Sequence, residues 1–275
     1  MVGKPTNAFS TFERYIVKRK KNLFFAILAM LLIIMSTTVV SAQSNFIDKF
    51  HHNFIADQRW KYLTNGLLIT LEISIVAVLI GIVGGFLIAI LRSTFDTIEK
   101  KNIFTKTINW ILKAYITVIR GTPAVIQLMI IYFVVFATTN VDKVTAAFIS
   151  FGINSSAYIA EIVRSGIMSV DPGQFEAGRS LGFSHAGTMW HFILPQAFKN
   201  ILPALGNEFI VLVKETSIAG YIGIVDLTKG GDIIRSRTYE AFLPLIAVAL
   251  IYLVIVMFLT MLVGKLERRL KTDGK

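Results

Sequence analysis

Six apolar segments of the chain are long enough to cross a lipid bilayer. A helix needs about 20 predominantly apolar residues to cross the ~30 Å hydrocarbon core of a membrane. The pattern therefore predicts an all-α transmembrane protein. The candidate spans lie at about 22–42, 62–91, 114–138, 144–167, 199–222 and 241–264.

Polar residues interrupt the third and fifth of these spans. The third contains Arg120-Gly121-Thr122-Pro123, and the fifth contains Asn207-Glu208 and Lys214-Glu215-Thr216-Ser217. Polar groups are costly in lipid, and they persist where protein or water surrounds them. Proline also removes a helical hydrogen bond, so the third span is expected to kink at Pro123. In the fifth span, the segment Lys214–Ser217 is expected either to act as a gate or to break the helix.

The basic residues are distributed unequally between the two sides of the membrane. With a cytoplasmic N-terminus, the cytoplasmic segments hold nineteen Lys and Arg and the outer loops hold seven. Cytoplasmic loops of membrane proteins carry such an excess. The net charge of +11 is therefore interpreted as an orientation signal with both termini cytoplasmic, and nucleic acid is not expected as a partner.

Composition excludes several kinds of chemistry. Hydrophobic residues make up 54% of the chain, charged residues 16%, and cysteine is absent. Disulfides, Cys-ligated zinc and iron–sulfur clusters are thereby excluded. The sequence has no Walker A motif, no H-E-x-x-H and no G-x-S-x-G, so no catalytic residue, metal site or resident cofactor is expected. Any energy source must be a partner protein or an ion gradient.

The first 42 residues allow two interpretations. Val40-Ser41-Ala42 resembles the cleavage site of a signal peptide. The apolar run Leu23–Val40 is longer than the usual hydrophobic region of about 7–15 residues, which favours an uncleaved anchoring helix. Either interpretation leaves the later spans in the same orientation.

Small residues recur at every fourth position of the second span, at Ala77, Gly81, Gly85 and Ala89. They form one stripe on a helix and let transmembrane backbones approach closely. Packing within the bundle is favoured over a dimer seam.

Polar residues of the fourth span share one helix face. Ser155, Tyr158, Glu161 and Ser165 recur at helical intervals. A carboxylate within a span indicates function by default. Glu161 either binds the ammonium group of a solute or pairs with Arg164 or Arg120. Arg120 in turn is expected to pair with a carboxylate such as Glu161 or Glu208. Glu72, near the outer end of the second span, either faces a solute pathway or extends toward the membrane interface.

The segment 171–195 carries signals for two short helices. Asp171 and Pro172 suit the start of a helix, Gln174 suits a capping box, and Gly182 suits its end. Ser184 is expected to cap a second helix, His185–Leu194, that ends at Pro195.

The same segment resembles the EAA loop of bacterial ABC importer permeases, whose pattern is E-A-A-x3-G-x9-I-x-L-P. The matching residues are Glu176-Ala177-Gly178, Gly182 and Phe192-Ile193-Leu194-Pro195. Gly178 and Phe192 depart from the pattern and leave its spacing intact. In that family the bend between the two short helices docks on a cytoplasmic ATPase. The resemblance implies ATPase coupling through Glu176, Ala177, Gly178, Gly182, Leu194 and Pro195.

Further motifs resemble the polar amino acid branch of these permeases, in order, over about residues 64–264. That branch has a type I permease core of five helices, so the N-terminal span is an addition. The motifs are Thr70-Leu71-Glu72, Arg120-Gly121-Thr122-Pro123 with Gln127-Leu128, Ala157–Arg164, Gly173-Gln174, Leu194–Ala197, Leu202-Pro203, Asn207-Glu208 and Lys214–Ser217.

The resemblance implies a set of site residues and partners. A solute pathway is expected at Glu72, Ser155, Tyr158, Glu161, Asn207 and Glu208. A gating or structural role is expected for Arg120, Thr122, Pro123, Gln127, Lys214, Thr216 and Ser217. The implied partners are two ATPase subunits that bind ATP and Mg²⁺, a second permease subunit (identical or different), an extracytoplasmic amino-acid-binding protein and a polar amino acid.

The expected domains are an N-terminal segment with the extra helix (1–61), a transmembrane domain (62–265) and a basic cytoplasmic tail (266–275), in a bacterial inner membrane. The alternatives are an ABC permease for another small solute and a gradient-driven transporter, which needs an ion site at mid-membrane. A membrane enzyme or sensor needs a constellation that the sequence lacks.

Overall fold

The computed structural model describes residues 43–97 and 102–272, and the secondary structure within these ranges is helical. The predicted span 22–42 and the question of its cleavage lie outside the described residues. The chain divides into two compact units, residues 1–56 and 57–275. In the first unit, helix α1 (Gln43–Phe50) continues into a π-helical turn (His51–Ile55).

The second unit begins at a short 3₁₀ turn (Ala56–Gln58, which straddles the boundary) and is built from helices of very different lengths. The helices are α2 (Trp60–Thr97), α3 (Ile103–Gly121), α4 (Ala124–Ile130), α5 (Lys143–Met168), α6 (Pro172–Ser180), α7 (His185–Thr188), α8 (Leu194–Glu215), α9 (Leu227–Thr238) and α10 (Phe242–Thr272). Two π-helical turns, Ile131–Val135 and Met189–Ile193, extend α4 and α7, and a 3₁₀ helix, Thr216–Ile222, extends α8.

Three of the described helices are long and apolar enough to cross a membrane. They cover Trp60–Ser93, Lys143–Met168 and Phe242–Leu270, which confirms the spans predicted at 62–91, 144–167 and 241–264. The pair Ile103–Gly121 and Ala124–Val135 is apolar enough as a broken span, bent by 110°. The predicted kink is thus a sharp turn.

The predicted span 199–222 is helical, but it is not apolar enough to be counted among these helices. Lys199, Asn200, Asn207 and Glu208 dilute its apolar residues. Within residues 43–97 and 102–272, the count is therefore three spans, or four with the broken pair, and the predicted set of six is not confirmed.

Helices α2 and α5 form the most extensive contact between elements of the fold. A Cβ added at Gly81 would lie 2.6 Å from Ser155 Oγ, and one at Gly85 would lie 2.6 Å from Ile159 Cγ2. A Cβ at either position would clash with α5. These distances confirm the interpretation that the small-residue stripe of α2 packs closely within the bundle.

Helix α9 packs on the N-terminal half of α2. The Leu227 amide donates to Thr70 Oγ1 at 3.1 Å, and a Cβ added at Gly66 would lie 2.6 Å from the Asp226 carbonyl oxygen. In contrast, only 6% of the apolar window of α10 is buried among the described residues.

Candidate functional site

Helices α6 and α7 form an elbow that joins α5 to α8. Asp171 caps α6 by accepting the Gly173 amide at 2.7 Å, and Pro172 occupies the first turn. This confirms the predicted start of the helix. The predicted capping box is wrong, because the Gln174 side chain instead accepts a hydrogen bond from Gln196 Nε2 at 3.3 Å. That bond links the two arms of the elbow.

The elbow turns at Gly182, which has a φ of +83° and follows the C-cap residue Leu181. The Phe183 amide closes the turn on the Gly178 carbonyl at 3.1 Å. A Cβ added at Gly178 would lie 2.6 Å from Thr188 Cγ2. Thr188 is fully buried, so the glycine at Gly178, where the family pattern has alanine, lets α6 and α7 approach closely.

The second arm differs from its prediction at Pro195. Ser184 caps α7 by accepting the Gly187 amide at 3.1 Å, as predicted, but the helix does not end at Pro195. Instead, the π-helical turn Met189–Ile193 leads directly into α8, and Pro195 lies in the first turn of α8. Pro195 has no amide hydrogen, so the helix continues through this position without the backbone hydrogen bond that another residue would donate. The second arm is therefore continuous with a long helix.

The outer surface of the elbow exposes large apolar side chains among polar and charged ones. Glu176 and Ala177 are exposed, Leu181 is 71% exposed, and Trp190 is 70% exposed. Gly178 is buried beneath them, Leu194 is half-buried and Pro195 is exposed. Exposed apolar patches of this kind are typical of protein contacts.

The bend between α3 and α4 is held by Gln127. Pro123 has no amide hydrogen, so the Ile119 carbonyl lacks its usual helical donor. Gln127 Nε2 donates to that carbonyl at 2.7 Å and also lies 2.7 Å from Thr122 Oγ1. Thr122 Oγ1 in turn donates to the Val118 carbonyl at 2.8 Å. The motif thus encodes a fixed turn.

A groove of about 370 Å³ lies between α3, α5 and α8. It combines charged, aromatic and hydroxyl groups with an apolar floor. The Ser155 hydroxyl is buried behind the groove and donates to Glu208 Oε1 at 3.4 Å. The lining residues are Arg120, Tyr158, Glu161, Ile162, Ser165, Gly166, Ser169, Asn200, Ala204 and Glu208.

The charged groups of the groove have different partners. Glu161 forms an ion pair with Arg164, whose Nε donates to Glu161 Oε2 at 3.0 Å. Arg120 lies over the Tyr158 ring, 5.3 Å from its centroid. Glu208 is 8% exposed and accepts the Ser155 bond. Of the two arginines predicted as partners of Glu161, Arg164 therefore forms the ion pair, and Arg120 instead makes a cation–π contact with Tyr158.

Several other sequence candidates lie outside the groove. Glu72, Asn207 and Lys214 are exposed, and none of them lines the groove. Thr216 is buried and donates to the Val213 carbonyl at 2.9 Å, while Ser217 is half-buried. The chain changes there from α helix to 3₁₀ helix.

Two polar residues of the groove were not predicted. Asn200 Nδ2 donates to Ser169 Oγ at 2.8 Å, and both residues line the groove. Asn200, Ala204 and Glu208 recur at intervals of four and share one helix face. That spacing was the available signal for Asn200. Ser169 follows Ser165 by the same interval of four, as the C-cap residue of α5.

Comparisons with known proteins match most of the chain. The family described as "Binding-protein-dependent transport system inner membrane component" matches residues 102–272. The chain is 39% identical over 215 residues to the arginine transport system permease protein ArtQ of Bacillus subtilis (strain 168), covering 77% of this chain and 94% of that protein. It is 39% identical over 212 residues to the glutamine transport system permease protein GlnP of Escherichia coli (strain K12), covering 76% and 93%.

Solved structures agree with these matches. A crystal structure of an amino acid ABC transporter with histidines has 45% identity and a TM-score of 0.70, covering 78% of this chain and 98% of that one. An inward-facing structure of the MetNI methionine ABC transporter has a TM-score of 0.62, covering 77% and 97%. At 21% identity, the second match concerns the fold alone.

Proposed function

The chain belongs to the family of binding-protein-dependent transport system inner membrane components, and from this premise we propose that it translocates a polar amino acid by ATP-driven alternating access. Its relatives are permeases of amino acid ABC importers, and the chain is a transport permease of the same kind. The proposal adds the solute, its contacts and the coupling to an ATPase.

The structure of the elbow supports the proposed coupling to an ATPase. Its arms are locked together by Gly178 against Thr188 and by the turn at Gly182, and its second arm continues into α8. A rigid elbow rooted in two long helices transmits motion as a rigid-body rotation. Glu176, Ala177, Leu181 and Trp190 form its exposed face. We place the ATPase contact there, with ATP and Mg²⁺ bound by the ATPase.

The groove offers complementary groups to a zwitterionic solute. The carboxyl of Glu208 suits an α-ammonium group, and the Arg120 guanidinium suits an α-carboxylate. Glu161 is held by Arg164, and we assign it to positioning that part of α5. The named solutes of the relatives, arginine and glutamine, support an amino acid as the class of solute.

Alternating access requires a partner that favours one orientation of the helices over another. An ATPase dimer supplies this bias by binding the two states unequally. We propose that the exposed faces of α2 and α10 contact lipid and a second permease subunit, that an extracytoplasmic binding protein delivers the solute, and that the elbow faces the cytoplasm. We also propose the domain limits 1–61, 62–265 and 266–275 for this arrangement.

Reconstitution tests the coupling. The chain is incorporated into proteoliposomes with its ATPase and binding protein, and ATP hydrolysis and solute uptake are measured together. Glu176→Lys reverses the charge on the exposed elbow and is expected to uncouple or abolish uptake, whereas Glu176→Gln is the conservative comparison. If Glu176→Lys supports the same uptake per ATP as the wild type, docking through the elbow is wrong. Mass spectrometry of the bound solute identifies the amino acid.

A further inference from the structure

A second groove, of about 310 Å³, lies between the end of α2, the end of α5 and the elbow. It is separate from the groove assigned to the solute, and the two share no lining residue. Its polar side carries Arg92, Arg164 and His185, and its apolar side includes Ala89, Ile167 and Phe175. This combination suits a ligand with an anionic head and an apolar body.

Arg92 and Arg164 differ in their partners. Arg164 donates through Nε and Nη2 to Glu161, and its Nη1 lies 2.6 Å from Met168 Sδ. Arg92 interacts electrostatically with Glu161 without forming an ion pair with it, and Arg92 Nε has no hydrogen-bond partner among the described residues. Of the two guanidinium groups, that of Arg92 is therefore the one that an anionic ligand would pair.

The position of Arg92 favours a lipid. Arg92 lies at the end of the apolar run of α2, and the groove also contains Ile167, Met189 and Met168, which is 68% exposed. A molecule bound to Arg92 has this apolar surface beside it. In the proposed orientation, Arg92 lies at the cytoplasmic leaflet. Basic pockets between transmembrane helices on that side bind lipid headgroups, and guanidinium groups bind phosphate through paired hydrogen bonds.

We propose that this groove binds the phosphodiester of an anionic phospholipid, with Arg92 as its main ligand, Arg164 and His185 beside it, and the acyl chains along Ile167 and Met168. His185 stacks on Phe175 of α6 at a centroid distance of 5.7 Å. The lipid thus contacts both arms of the elbow as well as α2 and α5. Bound lipid stabilises the position of the elbow against the membrane helices.

Thermal unfolding of the purified full-length chain in detergent tests the proposal without requiring transport. Phosphatidylglycerol is expected to raise the apparent Tm of the wild type, and phosphatidylcholine and inorganic phosphate are not. Arg92→Gln is expected to weaken the apparent affinity for phosphatidylglycerol about fivefold, because one basic residue contributes about that much to binding an anionic lipid. Arg92→Lys, which keeps the charge and loses the Nε donor, is expected to lie between the two.

Arg269→Gln is the matched control, because Arg269 is an exposed arginine of α10 that does not line the groove. It is expected to leave the phosphatidylglycerol response unchanged. An equal loss in both glutamine variants would indicate general surface charge and overturn the site. An equal response to inorganic phosphate would overturn the lipid, and an equal response to phosphatidylcholine would overturn the anionic headgroup. If Arg92→Gln does not fold, native mass spectrometry measures the phosphatidylglycerol retained by the wild type and by Arg92→Lys. A wild-type chain that retains no phosphatidylglycerol refutes the proposal.

Discussion

Gln127 and Asn154 are joined by a hydrogen bond from Asn154 Nδ2 to Gln127 Oε1 at 2.9 Å. Both side chains are buried, at 9% and 3% exposure. Because the other end of Gln127 donates to the Ile119 carbonyl, one side chain connects the broken α3–α4 span to α5. The bend and the groove beside it therefore depend on a single amide.

Gln127→Met tests this dependence. Methionine retains the volume and leaves the Ile119 carbonyl and the Asn154 amide unpaired. Each buried polar group that loses its partner costs about 1–3 kcal/mol, so we expect a loss of about 2–6 kcal/mol for the two, measured as a drop of several degrees in apparent Tm. Gln58→Met, at an exposed glutamine with no side-chain hydrogen bond among the described residues, is expected to change Tm little. Equal effects of the two substitutions would contradict the role of Gln127.

The double variant Gln127→Met, Asn154→Leu separates this bond from packing. If the two residues act together, their combined loss is smaller than the sum of the single losses. Additive losses would show that the bond between Gln127 and Asn154 contributes nothing of its own.

Gly178→Ala is expected to disturb the elbow. The new methyl group would lie 2.6 Å from Thr188 Cγ2 and 2.8 Å from Thr188 Oγ1. Overpacking of this kind costs about 1–3 kcal/mol, and this loss exceeds the gain in helix propensity of about 1 kcal/mol. In proteoliposomes, uptake per ATP is expected to fall. Gly264→Ala is the control, because a Cβ at that helical glycine would contact nothing within 4 Å.

Thr188→Ala is expected to rescue Gly178→Ala. It removes both of the closest atoms, and the remaining distance, 3.2 Å to Thr188 Cβ, is less severe. It also removes Thr188 Oγ1, a buried oxygen without a hydrogen-bond partner among the described residues. A double variant that is no more stable than Gly178→Ala would show that Thr188 is not the obstacle.

The local signals in the sequence were sufficient for the elbow and the small-residue stripe. Asp171, Gly182 and Ser184 each act through their own backbone neighbourhood, and the spacing of Gly81 and Gly85 requires a close neighbour. The identity of that neighbour, α5, depends on the tertiary fold. The continuation of the helix through Pro195 was missed because proline suits both a helix end and a first turn.

The groove was only partly predictable for a related reason. Helical spacing placed Tyr158, Glu161 and Ser165 on one face, and the structure brings all three to the groove. Adjacent residues, however, point in different directions: Glu208 is buried and Asn207 is exposed. A motif that names both residues cannot separate them, since only the packing of α8 decides which side chain faces inward.

Glu208→Gln is expected to weaken the interaction with solute. It removes the carboxylate proposed to bind the ammonium group, and hydrogen bonds to charged groups contribute about 1.5–3 kcal/mol. The KM for uptake in proteoliposomes should therefore rise about tenfold or more, with assembly intact by size-exclusion chromatography. Glu267→Gln, outside the groove in α10, is the control for loss of a carboxylate.

Glu161→Gln distinguishes positioning from contact. Glu161 is paired with Arg164, so Glu161→Gln should lower the free energy of unfolding by about 0–1 kcal/mol, the usual contribution of a partly exposed ion pair. The KM for solute should stay within about twofold, because the carboxylate is assigned to Arg164 and not to the solute. A larger rise in KM with normal stability would assign solute contact to Glu161 instead.

Asp226 gives the chain a pH dependence of stability. This residue lies between the 3₁₀ helix and α9, outside the candidate spans, and burial raises the pKa of its carboxyl above the ordinary value of 3.8. A raised pKa in the folded state means that folding favours the protonated form. The free energy of unfolding therefore falls as the pH rises above 3.8, and the loss is complete above the folded-state pKa.

Two substitutions separate this charge from the cap that Asp226 provides. Its side chain accepts the Thr228 amide at 2.9 Å and the Lys229 amide at 3.3 Å. Asparagine also caps helices well, so Asp226→Asn should match or exceed the apparent Tm of the wild type at pH 8 and remove its share of the pH dependence. Asp226→Ala loses the cap and should be about 1 kcal/mol less stable than Asp226→Asn. If Asp226→Asn destabilises the chain at pH 8 as much as Asp226→Ala does, the buried charge is favourable and the direction argued for its pKa is wrong.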